Sequence, residues 1–276
     1  MNPTKLNKNI LIPVLCITLA LVYFIFGHGK STQNSATSTR IADPWIKISK
    51  QKVVKKMSDK ISPDGHYLPF YGYTIVSMLT DRYELNQIYD SIKNTKFLSK
   101  FLTPLPISSY HVTIYDIFTQ RKIPLKYTSD LASSMKLSQN SGALKTDLLA
   151  AQYICDKIQG GITFKPKNIV FGDGPGRPFI VEGEISNLKE LNSARDMFTS
   201  LFDKDDSARI YHMTLGYVHS VVTDHDKAVI MKELQELWQL LQREYSLDRP
   251  NVCYFESMRE FQPIKMLLNN TSPAGL

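Results

Sequence analysis

The sequence predicts an α+β fold with an internal duplication of architecture, preceded by one apolar N-terminal segment. Short β-branched, apolar runs alternate with longer segments of helical apolar spacing, and Gly- and Pro-rich turns separate them. A strand, helix, strand, surface excursion, helix and strand are followed by a strand, helix, strand, helix and strand, without any visible repeat of residue identity. The 276 residues, 43% of them hydrophobic and 21% charged, suffice for a sizeable core.

The first half of the predicted domain begins with a strand over 72–79 (GYTIVSML), which is apolar and β-branched. A helix is predicted over 81–101 and a second strand over 109–118. Residues 119–142 are polar and irregular, which favours an excursion over the surface. A helix over 144–158 then ends at two glycines.

The second half opens with strands over 162–171 and 179–185, joined by a glycine-rich turn. A helix over 188–202, a strand over 208–218, an amphipathic helix over 228–245 and a strand over 252–258 follow. The domain is therefore predicted to span 61–262, with a C-terminal tail over 263–276.

Residues 10–26 (ILIPVLCITLALVYFIF) are uncharged and long enough for a short transmembrane helix. Without an A-x-A site close behind them, they favour an uncleaved signal anchor, and secretion after signal cleavage is the alternative. Lys5 and Lys8 in the short tail over 1–9 slightly favour a cytoplasmic N-terminus and an extracytoplasmic domain. Residues 27–60 are predicted to be a flexible basic tether.

The composition gives only a weak indication of which ligands and cofactors the protein binds. The formal net charge of +7 suits a partner that carries phosphate, but many of the lysines lie in the tether. Cys155 and Cys253 are predicted to be unpaired and buried, and no Cys/His spacing is typical of zinc. We therefore expect no metal and no cofactor, and we expect a monomer.

Two predicted strands carry the same pattern, Tyr-His-apolar-Thr-apolar, at residues 110–114 and 211–215. In a strand, alternate side chains point to the same face. His111 and Thr113 therefore share one face, as do His212 and Thr214, while the apolar positions face the core. By the same alternation, Tyr115 is predicted to share the face of His111 and to stack on a base or a sugar.

One such pattern is common by chance, but two copies in equivalent positions of a duplicated frame are not. The alternative is that both histidines are strand residues with satisfied hydrogen bonds and that both threonines are ordinary strand formers.

The paired motifs, together with the loop Pro63-Asp64-Gly65, the strand after it and Tyr217, resemble the two-histidine (2H) phosphoesterase superfamily, and its bacterial and fungal branch most closely. The resemblance covers roughly residues 60–262. It implies two pseudo-symmetric lobes of antiparallel sheet with flanking helices around a central cleft. One His/Thr pair would enter the cleft from each lobe.

Two histidines suit phosphodiester cleavage because a base must deprotonate the attacking oxygen while an acid protonates the leaving oxygen. Imidazole, with an ordinary pKa of about 6.5, supplies both forms near neutrality. We assign His212 as base and His111 as acid, although the pseudo-symmetry leaves the reverse open. The hydroxyls of Thr113 and Thr214 can donate to the nonbridging oxygens.

The predicted activity is metal-independent hydrolysis of a 2′,3′-cyclic phosphate, or of a related 2′-linked phosphodiester, on RNA ends or nucleotides. One alternative is a membrane-tethered module that binds nucleotides or RNA with negligible turnover. Another is a structural domain, in which neither histidine would lie near a cleft.

Overall fold

The computed structural model describes residues 46–49, 58–131, 142–172, 174–205 and 210–269. These residues belong to one compact unit within 42–276. The predicted anchor over 10–26 and most of the predicted tether lie outside the described residues. Among the helices of the described ranges, none is long and apolar enough to cross a membrane.

The described residues form strands and helices that alternate along the chain. The ten strands are β1 (Ile46–Ser49), β2 (Gly72–Met78), β3 (Leu102–Pro104), β4 (His111–Thr119), β5 (Ile162–Gly172), β6 (Pro178–Ile185), β7 (His212–Val218), β8 (Tyr245–Leu247), β9 (Asn251–Ser257) and β10 (Glu260–Pro263). The five helices are α1 (Arg82–Asn94), α2 (Ala143–Lys157), α3 (Leu188–Phe202), α4 (Asp224–Leu241) and α5 (Ile264–Asn269).

All ten strands belong to one sheet in the order β1-β5-β6-β7-β4-β2-β9-β10, with β3 also paired to β7 and β8 to β5. Apart from the parallel pair β1-β5, the strands pair antiparallel. The mixed α+β prediction is therefore confirmed, and the antiparallel lobes are two halves of a continuous sheet.

The duplication is visible in how the strands pair. Apart from the short strands β3 and β8, the segment β2-α1-β4-α2-β5 has the same order of elements as β6-α3-β7-α4-β9. In each copy the first and second strands pair with each other, while the third strand joins the other copy, β5 beside β6 and β9 beside β2. The helices also pair between the two copies: α1 packs against α4, and α2 packs against α3.

Local polar contacts explain where two helices differ from their prediction. Helix α4 begins at Asp224, four residues before the predicted start, because Thr223 and Asp226 form a reciprocal capping box. Helix α1 ends at Asn94 rather than at residue 101. Beyond it, the backbone N–H groups of Phe97 and Leu98 donate to the carboxylate of Glu233 on α4, at 3.2 and 2.8 Å, and the chain turns into β3.

Three predicted irregular segments contain ordered structure. The prediction of a flexible tether is wrong at 46–49, where β1 pairs in parallel with β5. The predicted C-terminal tail begins with the last residue of β10 and continues into α5. Within the predicted excursion, the Tyr127 ring is buried and its hydroxyl donates to Asp147 of α2 at 2.7 Å.

Candidate active site

The two motifs meet where the halves of the sheet join. Strands β4 and β7 pair at Val112 and Met213, both fully buried. Because the strands are antiparallel, one step along each places His111 beside Thr214 and, in the other direction, Thr113 beside His212. Cross-strand neighbours share a face of the sheet, with Cβ atoms about 5 Å apart. The four motif side chains therefore form a square on one face, here called the histidine face.

Each motif is followed by a β-bulge. On β2, the adjacent residues Ile75 and Val76 pair with Tyr115 and Thr113, so Ile114 is an extra residue in β4. On β6, the adjacent residues Phe179 and Ile180 pair with Gly216 and Thr214, which makes Leu215 the extra residue in β7. The two copies therefore share a bulge at the equivalent position of β4 and β7. A bulge changes the face to which the following side chain points.

The prediction that Tyr115 shares the face of His111 is wrong because of this bulge. Tyr115 pairs with Ile75, and Val112 pairs with Ser77, two residues farther along the regular strand β2. Tyr115 and Val112 thus lie on the same, opposite face. The Tyr115 ring is fully buried and packs against Phe198 of α3, with ring centroids 5.5 Å apart. It belongs to the core and is not available for stacking on a ligand in this conformation.

The bulges bring two other side chains to the histidine face. Asp116 pairs with Thr74, which lies on the same face of β2 as the partner of Thr113. Tyr217 pairs with Pro178, which lies on the same face of β6 as the partner of Thr214. Asp116 and Tyr217 are therefore equivalent positions of the two copies, beyond their respective threonines.

Both imidazoles are oriented by the same backbone contact. Nδ1 of His111 lies 2.6 Å from the carbonyl oxygen of Ser109, and Nδ1 of His212 lies 3.0 Å from the carbonyl oxygen of Ile210. A carbonyl oxygen only accepts, so each Nδ1 carries a proton that it donates two residues back. Nε2 is then the nitrogen that takes up and releases a proton, as acid–base chemistry requires.

The surroundings of the two histidines differ. His111 is 6% exposed, and its ring packs against Phe261 of β10 at a centroid distance of 4.2 Å. Its cross-strand neighbour on β2 is Met78. His212 is partly exposed, and its cross-strand neighbour on β6 is Glu182. Besides Thr214, His111 therefore has Phe261 and Met78 as neighbours, whereas His212 has a carboxylate beside it.

A lysine and several aromatic rings continue the histidine face beyond Thr214. The Nζ of Lys60 donates to the Tyr217 hydroxyl at 3.3 Å and lies 4.9 Å from the centroid of the Phe70 ring. Next to it, Arg121 donates two hydrogen bonds to the Asp59 carboxylate and lowers the pKa of that group. The positive charge of Lys60 is thus held over aromatic rings on the face that carries the motifs.

The loop Pro63-Asp64-Gly65 packs against the far end of β7. Gly65 has a φ of +84°, and a Cβ there would lie 2.7 Å from Oγ1 of Thr103, so a side chain would be both strained and obstructed. Thr103 donates to the Gly65 carbonyl oxygen at 3.0 Å. The ring of His219, which follows β7, would lie 3.3 Å from the same Cβ, and burial lowers the pKa of its imidazole.

Within the described ranges, no group of three or more His, Cys, Asp or Glu residues is arranged to hold a metal ion. Cys155 and Cys253 are both buried free thiols, as predicted, and burial raises the pKa of each. The cysteines thus belong to the core.

The chain resembles known proteins in sequence. A family model described as 2H-phosphodiest, a domain of unknown function (DUF1868), matches residues 60–158, which include the first motif. An uncharacterized protein, 127L, of Invertebrate iridescent virus 6 is 24% identical over 229 residues, which cover 77% of this chain and 97% of the viral protein.

Two solved structures are also similar. The conserved protein of unknown function ATU0111 from Agrobacterium tumefaciens aligns with a TM-score of 0.55 at 18% identity, over 78% of this chain and 93% of that one. The protein TT0787 of Thermus thermophilus aligns with a TM-score of 0.38 at 10% identity, over 70% of this chain and 97% of that one. The first of these likenesses supports the fold.

Proposed function

We propose that this chain is a member of the two-histidine phosphoesterase superfamily and that it hydrolyses a 2′,3′-cyclic phosphate, or a related 2′-linked phosphodiester, on an RNA end or a nucleotide. The family supports a hydrolase that acts on phosphodiester bonds. The observation that carries the proposal is the square of His111, Thr214, His212 and Thr113 across the β4-β7 junction. It offers two proton-transfer groups and two hydroxyl donors to one phosphate.

In the proposed reaction, one imidazole takes a proton from water while the water oxygen forms a bond to phosphorus. The bond from phosphorus to the 2′ or 3′ ribose oxygen breaks, and the other imidazole, in its charged form, gives its proton to that oxygen. The product is a phosphomonoester, and the two histidines exchange protonation states. Thr113 and Thr214 donate to the nonbridging oxygens, on which negative charge develops.

Two features of the site support these roles of the histidines and threonines. Each Nδ1 is engaged with a backbone carbonyl, so Nε2 of each imidazole is the group that exchanges protons. Each histidine also has the other motif's threonine as its cross-strand neighbour, so a phosphate between the histidines lies within reach of both hydroxyls.

The proposal is tested by incubating the purified chain with 2′,3′-cyclic nucleotides and with short RNAs of defined 3′ ends, in the presence of EDTA. We expect turnover to continue under chelation and to follow a bell-shaped pH profile, because one histidine must be neutral and the other charged. Loss of turnover on chelation that a divalent ion restores would contradict the metal-independent mechanism. Binding of these ligands without any turnover would favour the tethered binding module instead.

We also propose that residues 10–26 anchor the chain in a membrane, with the domain on the side opposite the N-terminus. The proposal rests on the uncharged length of this segment and on Lys5 and Lys8 before it. We expect protease added outside intact cells or spheroplasts to digest the chain beyond Ser31. Complete protection of the domain would reverse the topology.

A further inference from the structure

The pseudo-symmetry of the site leaves open which histidine is the acid, and the neighbours of the two imidazoles break that symmetry. His212 pairs with Glu182 across β6, and the equivalent position across β2, opposite His111, is Met78. Phe261 also packs on the His111 ring. The one negative charge at these equivalent positions therefore lies beside His212.

We propose that Glu182 is a positioning residue that holds the proton on His212, so that His212 is the general acid and His111 the general base. This inference rests on the proposed function and reverses the assignment made from the sequence. An ionised carboxylate attracts an imidazolium, while apolar neighbours such as Phe261 and Met78 disfavour a charged ring. The general acid must hold its proton before the leaving oxygen departs, and the general base must be neutral.

Two other carboxylates that the register places on the histidine face, Glu184 and Asp116, each have a lysine partner. Glu184, two residues along β6, accepts from Lys167 at 3.0 Å, and Asp116 on β4 has its Oδ2 3.7 Å from the Nζ of Lys204. Each lysine offsets the charge of its partner. Glu182 therefore differs from both in lying directly opposite His212 in the strand register.

Charged and titratable groups are also present on the other sides of His212. On the core side, the Nη1 of Arg195 donates to the Tyr211 hydroxyl at 3.3 Å, and this cation opposes a charged imidazole. Across β4, the titrating neighbour is His111, which must be neutral when His212 is charged. Asp205 lies at the end of the described stretch before β7. Asp205 is present both in the wild-type chain and in Glu182→Gln, so the comparison of the two does not depend on it.

The first test is the pH profile of kcat/KM for Glu182→Gln on a 2′,3′-cyclic nucleotide, with Glu184→Gln as the matched control on the same face of the same strand. The amide removes the charge and nearly preserves the shape. We expect the alkaline limb to move to lower pH by about 0.5–1 pH unit in Glu182→Gln, as for charges a few ångströms apart in water, and not in the control. Movement of the acidic limb, or of neither limb, would overturn the proposal.

The second test separates acid from base by the leaving group. Expulsion of p-nitrophenolate needs little protonation, whereas expulsion of a ribose alkoxide needs a general acid. We expect His212→Asn to lose at least about tenfold less activity on bis(p-nitrophenyl) phosphate than on a 2′,3′-cyclic nucleotide, and His111→Asn to lose similar activity on both. The opposite pattern would make His111 the acid.

An NMR titration of the histidine ring nitrogens keeps the inference testable without turnover. We expect the titration midpoint of His212 to fall in Glu182→Gln and that of His111 to stay unchanged. An unchanged His212 midpoint would overturn the role of Glu182 in an active or an inactive chain. If the wild-type chain turns over no phosphodiester but His212 responds as expected, the proposed function fails while the coupling between Glu182 and His212 stands.

Discussion

We expect the replacement of either His111 or His212 with alanine to lower kcat by roughly 10²–10⁴, because each substitution would remove one of the two proposed proton transfers. The rate is measured on a 2′,3′-cyclic nucleotide in EDTA, at the pH optimum of the wild-type chain. His225→Ala is the matched control, since that side chain is 93% exposed on α4, outside the motif strands. Near-full turnover in both motif variants would mean that the repeated pattern is a coincidence of two strands.

Because His111 is buried, a second substitution is needed to separate the loss of proton transfer from the loss of packing. The alanine change also removes packing against Phe261, so a loss of activity could reflect a local collapse. Asparagine places an amide nitrogen near the position of Nδ1, can still donate to the Ser109 carbonyl oxygen, and cannot transfer a proton. We expect His111→Asn to keep the thermal stability of the wild-type chain and to lose activity like His111→Ala. If both variants fail to fold, His111 is a structural core residue.

Removing the threonine hydroxyls has the second-largest expected effect. Thr113→Val and Thr214→Val keep the β-branched shape and should each lower kcat by about 10–10³, by extrapolation from single oxyanion donors. Both side chains are partly exposed, so the melting temperature should change little. Thr113→Ser and Thr214→Ser, which keep the hydroxyl, should recover most of the activity. Wild-type rates in both valine variants would remove the threonines from the site.

Much of the fold could be predicted because its long elements carry strong local patterns. The strands β2, β4 and β6 and the helices α2 and α3 lie within two residues of their predicted bounds. The strands β1, β3, β8 and β10 have only three or four residues each. Such short segments are stabilised by their partners in the sheet, and their own periodicity is too brief to detect.

In the candidate site, too, the local pattern predicts some features, while others depend on the register in which the strands pair. Alternation correctly places His111 with Thr113 and His212 with Thr214, because no bulge lies between the histidine and the threonine of either motif. It fails at Tyr115, where the extra residue Ile114 is an ordinary strand former and gives no local sign of a bulge. The position of Glu182 beside His212 likewise depends on which strands pair and in which register. Such contacts between distant residues have no signature in the sequence itself.

Whether the two histidines act together on one phosphate is tested most directly by comparing the double variant His111→Ala/His212→Ala with the two single variants. If both imidazoles act on opposite sides of one phosphorus in a single transition state, losing the first already removes most of what the second contributes. We expect kcat of the double variant to lie within about tenfold of the worse single variant. A loss equal to the product of the two single losses would show that the histidines act independently and would contradict a shared transition state.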